Sequence, residues 1–177
     1  MKIKLYSIII FLLVCGLGVL SHFLYDWSGQ NKIVGIISSI NESTWEHLKL
    51  IFFPMLFVTI GEIIIFKKKL KEFLPPRVSG ILAGMAFIVV VFYTFWGITG
   101  KLIDFVNISI YILGVLFAFL VEKYVRSKKM YMDLSVSIAI LVGIAVLFVI
   151  FSFNNPNVGI FLTSPCIQRG NTIAIKC

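Results

Sequence analysis

The sequence predicts an all-α integral membrane bundle of about five transmembrane helices. The chain is 59% hydrophobic and only 14% charged, with 17 phenylalanines among 177 residues, and its mean hydropathy is +1.02. A soluble domain of this size would leave large apolar patches exposed. The apolar residues also run in blocks of ~20, the length a helix needs to cross a hydrocarbon core of ~30 Å. Within a block, apolar and polar residues do not alternate as they would in barrel strands. Helices also satisfy their own backbone polar groups in lipid.

The first span covers roughly residues 5–24. Met1-Lys2-Ile3-Lys4 before it imitates the start of a secretory signal. The run is long, however, and no clean small-x-small site follows it. Leu12-Leu13-Val14 ahead of Cys15 also lacks the small residue expected before a lipidated cysteine, so the span is read as uncleaved. A polar turn follows, Asp26-Trp27-Ser28-Gly29-Gln30-Asn31-Lys32. Residues 33–40 are too few to cross and read as an interfacial or re-entrant segment, with Trp27 and Trp45 flanking it as interfacial anchors.

The second span, 48–66, contains Pro54. A proline removes a backbone donor and crowds the carbonyl four residues earlier, which predicts a kink near Leu50 and a cavity below the helix's first turns. The bland alternative is a proline of the kind membrane helices commonly tolerate. The remaining spans are 78–97, 105–121 and 134–153. Gly80 and Gly84 form a small-x-x-x-small pair that permits close helix packing. Residues 1–153 thus form a single transmembrane domain, and 154–177 a short extracytoplasmic tail in which Cys166 and Cys177 are candidates for a disulfide.

The net charge of +8 does not read as a nucleic-acid footprint. Basic residues cluster at the ends of apolar runs, the pattern of topology signals and anionic headgroup contacts. Lys67, Lys68, Lys69, Lys71 and Arg77 fall between spans two and three. Lys123, Arg126, Lys128 and Lys129 fall between spans four and five, whereas the intervening loop holds only Lys101 and Asp104. The positive-inside rule then places the N-terminus in the cytoplasm and the C-terminus outside.

This topology puts the most charge-rich apolar boundary, Asn41-Glu42-Ser43-Thr44-Trp45-Glu46-His47-Leu48-Lys49, at the outer surface. Charges near a bilayer are costly and mark candidate sites. Ser39-x-x-Glu42 and Ser43-x-x-Glu46 both match capping boxes, which would give the glutamates an ordinary structural purpose. Capping leaves Trp45, His47 and Lys49 unexplained. Glu42, Glu46 and Lys49 recur at helical spacing, and His22 and Asp26 share a face near the outer end of the first span. The candidate ligand-binding residues are therefore His22, Asp26, Glu42, Trp45, Glu46, His47 and Lys49. Within that set, His22, His47 and Glu46 are candidate divalent-metal ligands. The spacing is not diagnostic, and no other cofactor motif is evident. Glu62 is a second buried candidate. It lies ~22 Å along a helix from His47, so it is expected at the inner interface, paired with a lysine. Thr94, Thr99, Asn107 and Ser109 read as interhelical hydrogen-bonding residues.

The stretch from Ser21 to Gly29, with Ile33-Val34-Gly35, Asn41-Glu42-Ser43-x-Trp45-Glu46-His47-x-Lys49 and Phe53-Pro54, resembles an uncharacterised family of small bacterial integral membrane proteins that carries a domain-of-unknown-function label. The resemblance is strongest over residues 20–62 and collinear through the later spans, and it departs after Phe161. It implies a polytopic protein of the bacterial cytoplasmic membrane and brings no established reaction.

Three functions fit these residues. The leading one is binding, without catalysis, of a small polar ligand or ion at an outward-facing site, with its passage as an extension of that reading. A second is a membrane-embedded enzyme acting on a lipid or headgroup through metal or acid/base chemistry with Glu46 or His47. No nucleophile motif accompanies those groups, and no catalytic residue is assigned. A third is an accessory subunit that stabilises a membrane complex. Beyond the bilayer, the expected partners are a second copy of the chain or a membrane protein.

Overall fold

The computed structural model describes residues 2–154 and 156–162, with the side chains of residues 2–4 left aside. The described residues form six α-helices: α1 (Lys2–Trp27), α2 (Lys32–Ile37), α3 (Thr44–Phe66), α4 (Leu70–Thr99), α5 (Asp104–Lys128) and α6 (Leu134–Phe153). A short 3-10 turn, Gly159–Phe161, follows. All except α2 are long and apolar enough to cross a membrane. Their outer faces carry exposed Leu5, Ile8, Val90, Ile98, Phe105 and Val142, which suits contact with lipid. The Cys166 and Cys177 pairing lies outside the described residues.

Helix α3 is the axis of the bundle. Of its most apolar stretch, 61% is buried, against 22% or less in each of the other four long helices. It packs on α1, α4 and α6. A helix that is apolar on every side belongs inside, and Leu48, Ile51, Phe52 and Met55 meet neighbours all round it. The tightest pair is α4 with α5. A Cβ at Gly80 would press on the carbonyl of Ala118, and one at Gly84 on that of Gly114.

Two boundary differences move charges out of the expected loops. Helix α4 begins at Leu70 rather than near residue 78 and runs through Pro75 and Pro76. The basic loop therefore shrinks to Lys67–Lys69, and Arg77 is buried within a helix instead of marking a loop. Pro76 can donate nothing to the carbonyl of Glu72, but the Arg126 guanidinium donates to it at 3.3 Å. Helix α5 continues past residue 121 to Lys128, carrying Glu122 and Arg126 one turn apart as an ion pair at 2.7 Å. Lys123, Arg126 and Lys128 are therefore helical rather than in a loop.

The same device answers Pro54. Helix α3 continues through it, and the Leu50 carbonyl that loses its helical donor lies 3.3 Å from the Tyr111 hydroxyl of α5. That hydroxyl also lies 3.2 Å from the Val14 carbonyl. It occupies the space where a Cβ on Gly18 would stand. The Tyr111 hydroxyl, packed against Gly18, thus occupies space beside the Leu50 carbonyl below the start of α3.

The antiparallel order brings both basic stretches to one end of the bundle, with the start of α1. The end of α1, all of α2, the start of α3 and the end of α6 gather at the opposite end.

Candidate functional site

At the end opposite the basic stretches, polar side chains form two separate groups. One is closed. Glu46 and Lys49 are fully buried and paired at 2.8 Å. The Lys49 ammonium also donates to the carbonyls of Gly35 at 2.8 Å and Ser38 at 3.2 Å, so it holds the C-terminal end of α2. Glu46 accepts from the Ile40 amide at 3.0 Å and from the Ser152 hydroxyl of α6 at 2.7 Å. Every donor on the ammonium is used, and both carboxylate oxygens are bonded. A buried pair is tolerable only when it is satisfied in this way.

The other group stands open. Ser43 caps α3, its hydroxyl accepting from the Glu46 amide at 3.3 Å. Glu42 therefore lies just before the helix and does not share a helical face with Glu46. Its position is set by the loop: Asn41 Oδ1 accepts from the Ser43 amide at 2.9 Å, and the Ser39 hydroxyl donates to the Asn41 carbonyl at 2.7 Å. Ser39 thus braces the loop and caps no helix. From this loop Glu42 reaches between the two histidines, with one carboxylate oxygen 3.7 Å from His22 Nε2 and the other 3.4 Å from His47 Nε2. The two rings lie 5.3 Å apart between centroids, tilted by 35°. All three side chains touch solvent, Glu42 most.

His47 is also fixed from behind, because its Nδ1 lies 2.8 Å from the Ser43 carbonyl. A carbonyl can only accept, so Nδ1 carries a hydrogen; Nε2 donates to Glu42 when the ring is protonated and offers a lone pair when it is neutral. His22 stacks edge-on to Phe23, and its Nδ1 has no hydrogen-bond partner among the described residues. The His47 imidazole beside Glu42 holds that carboxyl below the usual carboxylate range, outweighing the opposing effect of burial.

A family model for a family of unknown function (DUF6512) matches residues 1–170. The chain belongs to this family. No curated protein and no solved structure matches it.

The sequence-predicted residues of this DUF6512 chain divide cleanly. His22, His47 and Glu42 converge, whereas Glu46 and Lys49 turn into the closed group. In the expected metal set, Glu42 takes the place given to Glu46. Asp26 is exposed one turn beyond His22. Trp45 packs among Phe148, Phe151 and Phe161, away from the histidines, so it joins α3 to the end of α6 rather than standing free as an anchor. Trp27 is exposed and stacks on Phe23.

At the basic end, Glu62 is buried and its partner is Arg77 at 2.7 Å rather than a lysine. The Tyr6 hydroxyl donates to its second oxygen. Arg77 also donates to the Thr59 hydroxyl at 3.3 Å. Its Nε lies 2.7 Å from Glu122, a close ion pair whose N–H is not aligned for a hydrogen bond. Phe73 and Phe119 cover the guanidinium at 5.2 Å each. Composition concealed this network, because Arg77 counted as one charge in a basic run. The available signal was Glu122-x-x-x-Arg126, an i,i+4 pair at the end of an apolar run. Thr99 and Ser109 return their hydroxyls to carbonyls four residues back rather than to other helices.

Proposed function

We propose that this chain is a multi-pass protein of the bacterial cytoplasmic membrane, with its N-terminus inside, whose outward face binds a small polar ligand or ion between His22, Glu42 and His47. The observation that carries this reading is the contrast in closure. Glu46, Lys49, Glu62, Arg77 and Glu122 all have partners within the bundle. The two imidazoles and Glu42 instead meet one another at 3.7 and 3.4 Å at a face open to solvent, where an incoming ligand can reach them. The shared end of the two basic stretches supports the orientation. Five long helices are few for a two-repeat transporter, so binding is the function proposed and passage is not.

The test is thermal stability of the purified protein in lipid nanodiscs, scanned against inorganic ions and small polar solutes. At least one is expected to raise the unfolding temperature of the wild type and leave Glu42→Gln unshifted. A panel that shifts both alike, or neither, overturns the site. For the topology, a labelling reagent applied from outside is expected to reach a cysteine placed at Asn31. Labelling only after the membrane is opened would invert the orientation.

A further inference from the structure

We infer that the guest of this site is a first-row divalent transition metal of the zinc class, ligated by His22 Nε2, His47 Nε2 and one oxygen of Glu42. The inference rests on the ligand-site reading above and narrows it to one chemistry.

Three features point to this chemistry. The donor set is two imidazoles and one carboxylate. Calcium and magnesium take oxygen-rich shells, whereas imidazole suits zinc and its neighbours. The spacing also fits. Bonds of ~2.0–2.2 Å in a tetrahedral site place donors roughly 3.3–3.6 Å apart. The Glu42 oxygens stand 3.7 and 3.4 Å from the two ring nitrogens. All three donor atoms lie within 4.8 Å of one another, so closure onto a metal asks for a contraction of about 1 Å at the widest edge. Finally, the back of the site is prepared. Metal-binding histidines ordinarily donate their other ring N–H to a carbonyl or carboxylate, which fixes the tautomer and strengthens the ligand. His47 does this through Nδ1 to the Ser43 carbonyl. That carbonyl also accepts the first helical hydrogen bond of α3, from the His47 amide at 3.1 Å, so the ligand is tied to the helix start.

The ligands come from α1, the loop before α3 and α3 itself. Three protein ligands leave a fourth position facing the solvent that all three side chains touch, the arrangement of an open zinc site rather than a closed structural one. The competing occupant is a proton, which would make the cluster an imidazolium–carboxylate pair with no metal.

The experiment separates these. Full-length protein in nanodiscs is stripped with a chelator, dialysed against Zn2+ near neutral pH and analysed for metal per chain. The wild type is expected to retain close to one zinc. His47→Gln, His22→Gln and Glu42→Gln are expected to bind more than ~100-fold more weakly, since losing even a supporting group behind a ligand costs about 10–100-fold. Asp133→Asn, an acid at the other end of the bundle, is the control expected to bind as the wild type does. The wild type loaded with Co2+ gives a reading that needs no variant, the intense visible absorption of a four-coordinate nitrogen and oxygen site. Absence of stoichiometric zinc in the wild type, retention by the histidine variants, or equal uptake of Ca2+ overturns the metal assignment. If a non-metal solute stabilises the wild type but not Glu42→Gln while zinc is not taken up, the metal inference falls and the ligand site stands. If neither zinc nor any solute acts on the wild type, both fall.

Discussion

Two clusters, one at each end of the bundle, hold similar ionisable groups in opposite states. At the basic end, Arg77 is enclosed by Glu62, Glu122, Thr59 and two phenylalanines, and four helices contribute to the network. At the other end, Glu42 stands between two histidines with solvent beside it. Enclosure in low dielectric makes a charge pair strong but makes the loss of one partner costly. Exposure makes a pair weak and exchangeable. The Arg77 network therefore holds helices together, whereas the Glu42 cluster stays accessible from solvent.

The largest expected effect breaks the closed end. Arg77→Met leaves Glu62 buried without its cation and Glu122 with Arg126 alone, and is expected to cost about 3–5 kcal/mol, read as a large drop in unfolding temperature or in recovery of monodisperse protein. Adding Glu62→Gln and Glu122→Gln to Arg77→Met is expected to restore most of it. A triple variant no better than the single one would show that the network is not held by charge balance.

Next is Lys49→Met, which strands the Gly35 and Ser38 carbonyls and the buried Glu46 carboxylate. A loss of similar order is expected, with faster proteolysis of residues 31–43. Unchanged cleavage there would separate Lys49 from the placement of α2. Tyr111→Phe is a smaller perturbation. It leaves the Leu50 carbonyl without a donor beside Pro54, for about 1–3 kcal/mol in thermal unfolding.

Weaker again, His22→Ala and His47→Ala in the metal-free protein are each expected to cost under about 1 kcal/mol, because their pairing is solvent-exposed. A loss as large as that of Arg77→Met would erase the contrast between the two ends. The mildest effect concerns pH. The Glu42 carboxyl lies below its ordinary value of 4.5, so the charged form is favoured in the folded state. Its contribution is complete above that ordinary value and is lost as the pH falls through the lowered one. The unfolding temperatures of wild type and Glu42→Gln are thus expected to differ most in mildly acid solution, where Glu42 is charged and the imidazoles keep their protons, and to converge well below pH 4.5 and again in alkaline solution. No difference in mildly acid solution would contradict the assignment.

Much of the open site was legible in advance. Both histidines and Glu42 stand out because charge is rare in this chain, and the expected topology puts His22 and His47 near the same ends of the first two spans. The choice between Glu42 and Glu46 was not legible. It turns on whether α3 begins at Ser43 or earlier, and the loop bonds of Ser39 and Asn41 decide that. Arg77 was misplaced for a related reason. On sequence alone the third span starts at residue 78, whereas α4 starts at Leu70 and passes through Pro75 and Pro76, with Arg126 of a distant helix donating to the Glu72 carbonyl. Pro54 repeats the lesson with Tyr111. In both cases a side chain of α5 completes another helix's backbone, which lipid would otherwise leave unsatisfied.

By itself, the sequence determined the helical class, the long apolar segments and the small set of polar residues available for a site. These follow from local composition and length, because an apolar run in lipid has one economical conformation. Only the tertiary structure decided which charges pair. Glu46 with Lys49, Glu62 with Arg77, and Glu42 with the histidines all depend on where one helix starts and which neighbour faces it. Burial, and with it the strength of each pair, is a property of several helices at once and is written in no single stretch of chain.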